Sequence, residues 1–237
     1  YKGEISPITK EIKDNIKKIS KGLNEEGLRV IAVAQRNDVD DIEHFQVKDE
    51  KNMILLGFIG FLDPPKKTAK ESILKLNNAG IRVIVLTGDN AEVTSCICKK
   101  VDINSEKIIL GSQIDKLSDA GVLRLLKKNN IFAKLSPIQK ARIVRLLKES
   151  GNVVGYMGDG INDSPSLTNS DVGISVDTAV DIAKDSADII LLKKDLNVLL
   201  DGVTEGRRTF SNLMKYIKLA TSFSFGEVLS LVIASVF

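Results

Sequence analysis

Val153-Val154-Gly155-Tyr156-Met157 runs directly into Gly158-Asp159-Gly160-Ile161-Asn162-Asp163, an apolar strand pattern ending in a loop of glycine, acid and amide. Glycines at the end of a strand let the backbone turn sharply and let a ligand approach it closely. Two acids and an amide in so short a loop form a hard, oxygen-rich group of the kind that holds Mg²⁺ beside a phosphate. A helix expected to start near Asn162 would add its N-terminal amides at the same point. The same residue types also build an ordinary capped turn, so this stretch alone leaves both readings open.

Outward from this loop, short apolar runs alternate with amphipathic ones. Strands are predicted over 53–62, 81–86, 131–133, 153–157, 171–175 and 189–192, and helices over 67–78, 91–100, 115–128, 138–149 and 164–169. This alternation specifies an α/β fold of Rossmann type, a parallel sheet covered by helices on both faces. Such sheets bind ligands beyond the carboxyl ends of their strands. The ends of 81–86, 131–133 and 153–157 are expected side by side, bringing Thr87, Lys140 and Asp159 to one pocket.

Two further pieces stand at such ends. Thr87-Gly88-Asp89 follows the strand over 81–86, where a hydroxyl and neighbouring amides can hold phosphoryl oxygens; a capped helix start is the plainer reading. Lys140 follows Ser136-Pro137, and a proline suits the first turn of a helix. There its ammonium could neutralise charge developing on a phosphoryl group, although taken singly it is one lysine among many.

The flanks differ from this middle. Ile8, Ile12, Ile16, Ile19 and Leu23 recur at helical spacing, Gly27 ends that helix, and 29–34 reads as a strand. Residues 37–51 are charged and turn-like. Residues 195–216 read as a helix with basic residues Arg207, Arg208 and Lys215, and Lys218 follows. The nineteen residues 219–237 are apolar with one acid, Glu227. A membrane span needs about 20 apolar residues, and basic residues beside it mark the cytoplasmic side. A buried core helix with a satisfied Glu227 is the alternative.

Composition sets the frame for these motifs. With 43% hydrophobic and 27% charged residues in 237, the chain is globular and long enough for one large or two small domains. A net charge of +3, with lysines interspersed among acids, is too close to neutral to argue for a nucleic-acid partner, and none is expected. Cys96 and Cys98 lack the spacing of a zinc site or a disulfide framework and read as idle thiols in a reducing compartment. The only histidine, His44, reads as a solvated loop residue. The chain opens at Tyr1, with neither an initiator Met nor a leader, as expected of a piece of a larger polypeptide.

In order, a Thr, a Lys and an Asp cluster at successive strand ends resemble the haloacid dehalogenase-like phosphotransferase superfamily. Its first element, an Asp nucleophile in a DKTGT-type motif, is absent from these residues. Asp63-Pro64-Pro65-Lys66, Thr87-Gly88-Asp89, Pro137 with Lys140, and Gly158 to Asp163 followed by Ser164-Pro165-Ser166-Leu167 together resemble a P-type ATPase. The family usually carries Ala where Ser164 and Ser166 stand. Residues 171–192 and 205–218 are most similar to the bacterial magnesium-translocating pumps.

The resemblance implies three regions: the C-terminal portion of a nucleotide-binding domain over 1–50, a phosphorylation domain over 51–205, and a stalk with the start of a membrane helix over 206–237. It implies an ATP-driven cation pump of the cell membrane, with most of this segment cytoplasmic, importing Mg²⁺ through an aspartyl-phosphate cycle. Its partners would be ATP, a divalent cation, the bilayer and the remainder of the pump, and its cofactor Mg²⁺. In these terms Thr87, Gly88 and Lys140 hold the phosphoryl group, and Asp159 and Asp163 serve the metal. Asn162 and Asp163 order the loop, and Arg29, Asp63 and Asp89 meet the nucleotide. Glu227 and Ser224 then meet the transported ion. A Glu at that membrane position also resembles the calcium pumps, so Ca²⁺ and H⁺ stay open as the ion. A soluble phosphatase of the same superfamily and an inactive regulatory fragment are the competing classes. These 237 residues alone are expected to turn over no ATP.

Overall fold

A computed structural model describes residues 5–37, 46–104 and 107–236; His44 lies outside the described residues. The chain opens with α1 (Lys10–Glu25), started by the Thr9 hydroxyl, which accepts from the Ile12 amide at 3.3 Å. β1 (Leu28–Gln35) then pairs antiparallel with β2 (Ile54–Leu62), from Leu28 opposite Leu62 to Gln35 opposite Ile54. The expectation that 53–62 opens the parallel sheet is therefore not met. A continuous apolar run reads alike in any sheet, and only its pairing partner decides where it belongs.

The parallel strands form two ladders. β3 (Val85–Leu86), β5 (Ile131–Ala133) and β4 (Ile108–Leu110) pair in the order β3-β5-β4. β6 (Gly155–Met157), β7 (Val172–Val176) and β8 (Ile189–Leu191) pair in the order β6-β7-β8. The strand ends expected side by side are so for β3 and β5, whereas β6 heads the second ladder. Among the described residues β3 and β6 each carry a strand on one edge only. Leu86 nevertheless packs against both hydrophobic cores, so the ladders meet through side chains rather than hydrogen bonds.

Helices cover these ladders: α2 (Ala69–Asn78), α3 (Ala91–Lys100), α4 (Gly111–Ile114), α5 (Asp119–Lys128), α6 (Pro137–Glu149), α7 (Ser164–Asn169) and α8 (Asp181–Asp185). The helix predicted over 115–128 begins at Asp119, because Ser118 is extended at φ −65° and ψ 164°. α6 joins the two cores. Ile143 and Leu146 pack with Phe132 and Leu126, while Val144 packs with Tyr156 and Leu167. Cys98 lies on the buried face of α3, and burial pushes its thiol up to about 11, as suits an inert cysteine.

The last element, α9 (Leu196–Val236), is anchored along its first turns. Leu196, Val198 and Leu199 pack on the cores, Arg207 reaches the Ala79 carbonyl, and beyond it the helix is exposed along its length. It is long and apolar enough to cross a membrane.

Candidate active site

Lys140 owes its position to the way α6 begins. Pro137 takes the first helical position, the Ser136 hydroxyl accepts from the Gln139 amide, and the Gln139 carboxamide oxygen accepts from the Ser136 amide at 2.8 Å. The Gln139 side-chain nitrogen Nε2 donates to the Gly111 carbonyl at 3.1 Å and to Asp115 at 2.7 Å, fastening the helix start to α4. One residue on, the Lys140 ammonium reaches Asp163 Oδ1 at 2.8 Å, with both side chains largely buried.

Asp163 is the most heavily engaged carboxylate of the site. Oδ1 also accepts from the Tyr156 hydroxyl at 2.7 Å, and Oδ2 accepts from the Gly160 amide at 3.3 Å. Burial pulls its pKa upward, and the Lys140 ammonium, the Tyr156 hydroxyl and the Gly160 amide outweigh that, leaving it below the ordinary carboxylate value. Burial, then the bond to Asp163, pushes the Tyr156 phenol well above its ordinary range, so it stays a neutral donor.

Gly158 exists for this arrangement. A Cβ there would stand 2.5 Å from Asp163 Cβ, so no other residue fits unless the loop moves. Its amide donates to the Ile174 carbonyl at 3.1 Å and its carbonyl accepts from the Ser175 hydroxyl at 2.9 Å, which tie the loop to β7. Asp159, next along, stands outside the hydrogen bonds of the Lys140–Asp163 cluster. It is about half exposed and pairs with Lys194 at 2.5 Å. Asn162 is exposed beside it.

The Thr87 loop sits against the approach to α6. The Leu135 amide donates to the Thr87 carbonyl and the Lys134 amide to the Asp89 carbonyl, at 3.0 and 2.8 Å. Lys134 adopts a left-handed φ of 52° to make this turn, and its carbonyl packs where a Cβ on Gly111 would come within 2.4 Å. The Thr87 hydroxyl accepts from the Asp89 amide at 3.1 Å, and Asn90 caps α3. Asp89 in turn accepts from Arg29 on β1 at 2.7 Å.

The structure thus joins Lys140 to Asp163, Gly158 and Gly160, and joins Arg29 to Asp89. Thr87 and Gly88 are linked to Lys140 through backbone bonds of the two loops. Asp63 is exposed in the segment that leads to Lys66, whose ammonium donates to the Lys194 carbonyl. Glu227 and Ser224 lie on the exposed stretch of α9.

Against this geometry the comparisons are consistent. A family described as hydrolase, haloacid dehalogenase-like hydrolase, matches residues 4–171. The chain belongs to the haloacid dehalogenase-like hydrolases. It is 48% identical over its whole length to a protein named magnesium-transporting ATPase, P-type 1, of Escherichia coli K12, covering 26% of that protein. It is 35% identical, over 98% of its length, to 26% of a calcium-transporting ATPase 1 of Bacillus cereus. The chain therefore spans about a quarter of the length of the curated relatives it matches. Among solved structures, a zinc-transporting PIB-type ATPase in its E2.Pi state superposes with a TM-score of 0.57 at 24% identity, over 85% of this chain and 26% of that one. That likeness speaks for the fold.

Within this haloacid dehalogenase-like frame, sequence reasoning passed over Tyr156, Gln139 and Lys194. Gln139 carried a usable signal, since Ser136-x-x-Gln139 is a capping box. Tyr156 reads as one more apolar strand residue, and Lys194 lies 35 positions from its partner, beyond the reach of local patterning.

Proposed function

We propose that this chain is the phosphorylation-domain portion of an ATP-driven cation pump of the P-type, acting on Mg²⁺. The observation that carries the reading is the Lys140–Asp163–Tyr156 cluster beneath a glycine that tolerates no side chain. Phosphoryl transfer asks the protein chiefly for positioning and charge neutralisation. A largely buried ammonium held on one carboxylate oxygen supplies both, since its direction is fixed before any phosphate arrives. Magnesium-transporting relatives identical at nearly half the positions support the choice of ion.

In this reading Lys140 neutralises phosphoryl oxygens, Asp163 and Tyr156 hold Lys140, and Thr87 and Gly88 bound the same space. Arg29 and Asp89 meet ATP, with Asp63 near the connection. Both oxygens of Asp163 are engaged within the site, which leaves Asp159 as the residue to hold Mg²⁺. Among the described residues no three acidic, His or Cys side chains gather as a metal cage. A single exposed carboxylate that already attracts a cation suits Mg²⁺, which keeps its waters and takes one or two carboxylates beside phosphate. When bound, the ion would draw charge from the phosphoryl group.

The nucleophilic Asp is expected from the rest of the polypeptide. The free edges of β3 and β6, both beside Leu86, suit a further parallel strand delivering it. The antiparallel pairing of β1 with β2 favours, in this reading, an end of the nucleotide-binding region after Leu62 rather than at 50, because β1 and its partner strand then stay together. The test is phosphoenzyme formation by the full-length pump against Mg²⁺ concentration. Asp159→Asn is expected to shift the Mg²⁺ requirement upward at least about tenfold while ATP binding persists, because an amide keeps the shape and loses the charge. An unchanged curve removes Asp159 from the metal site.

A further inference from the structure

The Asp159–Lys194 pair joins two regions of the chain with different tasks. Asp159 stands in the loop after β6, and Lys194 stands two residues before α9. The segment around Lys194 is a knot of attachments. Its carbonyl accepts from Lys66, the Asp195 carboxylate accepts from Thr68 at 3.3 Å, and the same carboxylate accepts from the Asn197 amide at 2.9 Å, capping α9. The Lys194 ammonium is the attachment that reaches the loop after β6.

We propose that Lys194 is the counter-cation of Asp159 in the magnesium-free state, and that Mg²⁺ displaces it, releasing the start of α9 from that loop. The proposal rests on Asp159 being the Mg²⁺ ligand. An exposed ammonium and a divalent ion cannot both sit against one carboxylate without repelling each other, and the divalent ion carries the larger charge. The pair is about half exposed on both sides, so it is weak enough to exchange. The segment it frees remains held by Lys66 and Thr68, so displacement loosens the root of α9 without undocking it. Cation occupancy at the phosphoryl site is thereby read by the helix that leaves the body.

Lys194→Met keeps the aliphatic stem and removes the charge. In the full-length pump, with Mg²⁺ as the probe, it is expected to lower the Mg²⁺ concentration for half-maximal phosphoenzyme formation about two- to fivefold, the range of an exposed ion pair. Hydrogen exchange gives a readout independent of turnover. In the wild type, Mg²⁺ is expected to speed exchange at the Asp195 and Asn197 amides; in Lys194→Met these amides exchange fast with or without Mg²⁺. Unchanged Mg²⁺ affinity in Lys194→Met, or amides indifferent to Mg²⁺ in the wild type, overturns the displacement. If Asp159→Asn also leaves the Mg²⁺ requirement unchanged, the metal-ligand reading itself fails; if only Lys194→Met is silent, that reading stands and the displacement alone falls.

Discussion

A single missing methyl group governs the geometry of this site. A Cβ on Gly158 would overlap Asp163 Cβ at 2.5 Å and Cγ at 2.8 Å, and Asp163 cannot retreat without leaving Lys140 and Tyr156. Gly158→Ala is therefore expected to lose about 1–3 kcal/mol of stability, the usual range for overpacking, and to abolish phosphoenzyme formation. Gly155→Ala serves as the control, since its Cβ would meet nothing closer than 3.8 Å; equal losses in both variants, followed by urea unfolding and phosphorylation, would reject the steric account. Asp163 adds a pH signature. Its folded pKa lies below its ordinary value of 3.8, so its pairing stabilises the fold above that pH and is lost as pH falls through the lower folded value. The stability difference between the wild type and Asp163→Asn, measured by urea midpoints from neutral to about pH 3, is expected to shrink toward the acid end. A gap that stays constant would mean that the carboxylate's charge is not what stabilises the loop.

Among the elements, β1 and the α3 start meet through Arg29 and Asp89, and here magnitudes separate structure from function. The pair is more than half exposed on the arginine side, and such surface pairs contribute about 0–1 kcal/mol. Arg29→Ala is expected to leave thermal unfolding within that range yet weaken ATP binding about tenfold or more, since a guanidinium bond to phosphate is worth about 1.5–3 kcal/mol. Calorimetry of both quantities on the full-length protein checks this part of the proposed function; a stability loss as large as the binding loss would make Arg29 a structural residue. Much of this element layer was legible from residues. Pro137 and Ser136 announce α6, Ile131-Phe132-Ala133 forms the buried β5, and the apolar run ending at Met157 forms β6. What escaped was pairing and brevity. Nothing local in 53–62 distinguishes an antiparallel partner from a parallel sheet, and Ile108–Leu110 is too short to show alternation. The Lys140–Asp163 contact fits the motif order, while Asp159–Lys194 depends on how the chain folds back after β8.

At the scale of the molecule, two exposed apolar surfaces call for covering. Phe61, Leu62 and Leu56 are at least half exposed on the β1–β2 pair, which suits burial against the proposed nucleotide-binding domain. Along α9, Phe223, Phe225 and Leu231 are each about two-thirds exposed or more, and a bilayer suits them better than water. The Arg207 guanidinium donates to the Ala79 carbonyl at 2.7 Å, fixing the helix to the end of α2 before the apolar stretch begins. Within that stretch Glu227 is the one acid, and an acid at the centre of a membrane helix costs about 2.5–3.5 kcal/mol unless it is paired or faces a pathway. Ser224 stands three residues earlier on the same helical face, and oxygen donors so spaced suit a divalent cation. Glu227→Gln is expected to raise the half-saturating concentration of the transported ion about tenfold or more in proteoliposomes, with saturating Mg–ATP on one face and the ion on the other. The proposed phosphorylation near Lys140 should persist, because Gln preserves helix and volume. Unaltered ion affinity in this variant would assign Glu227 to helix pairing, and uptake of Ca²⁺ in place of Mg²⁺ by the unmodified full-length protein would overturn the proposed ion while leaving the proposed role of Lys140 standing.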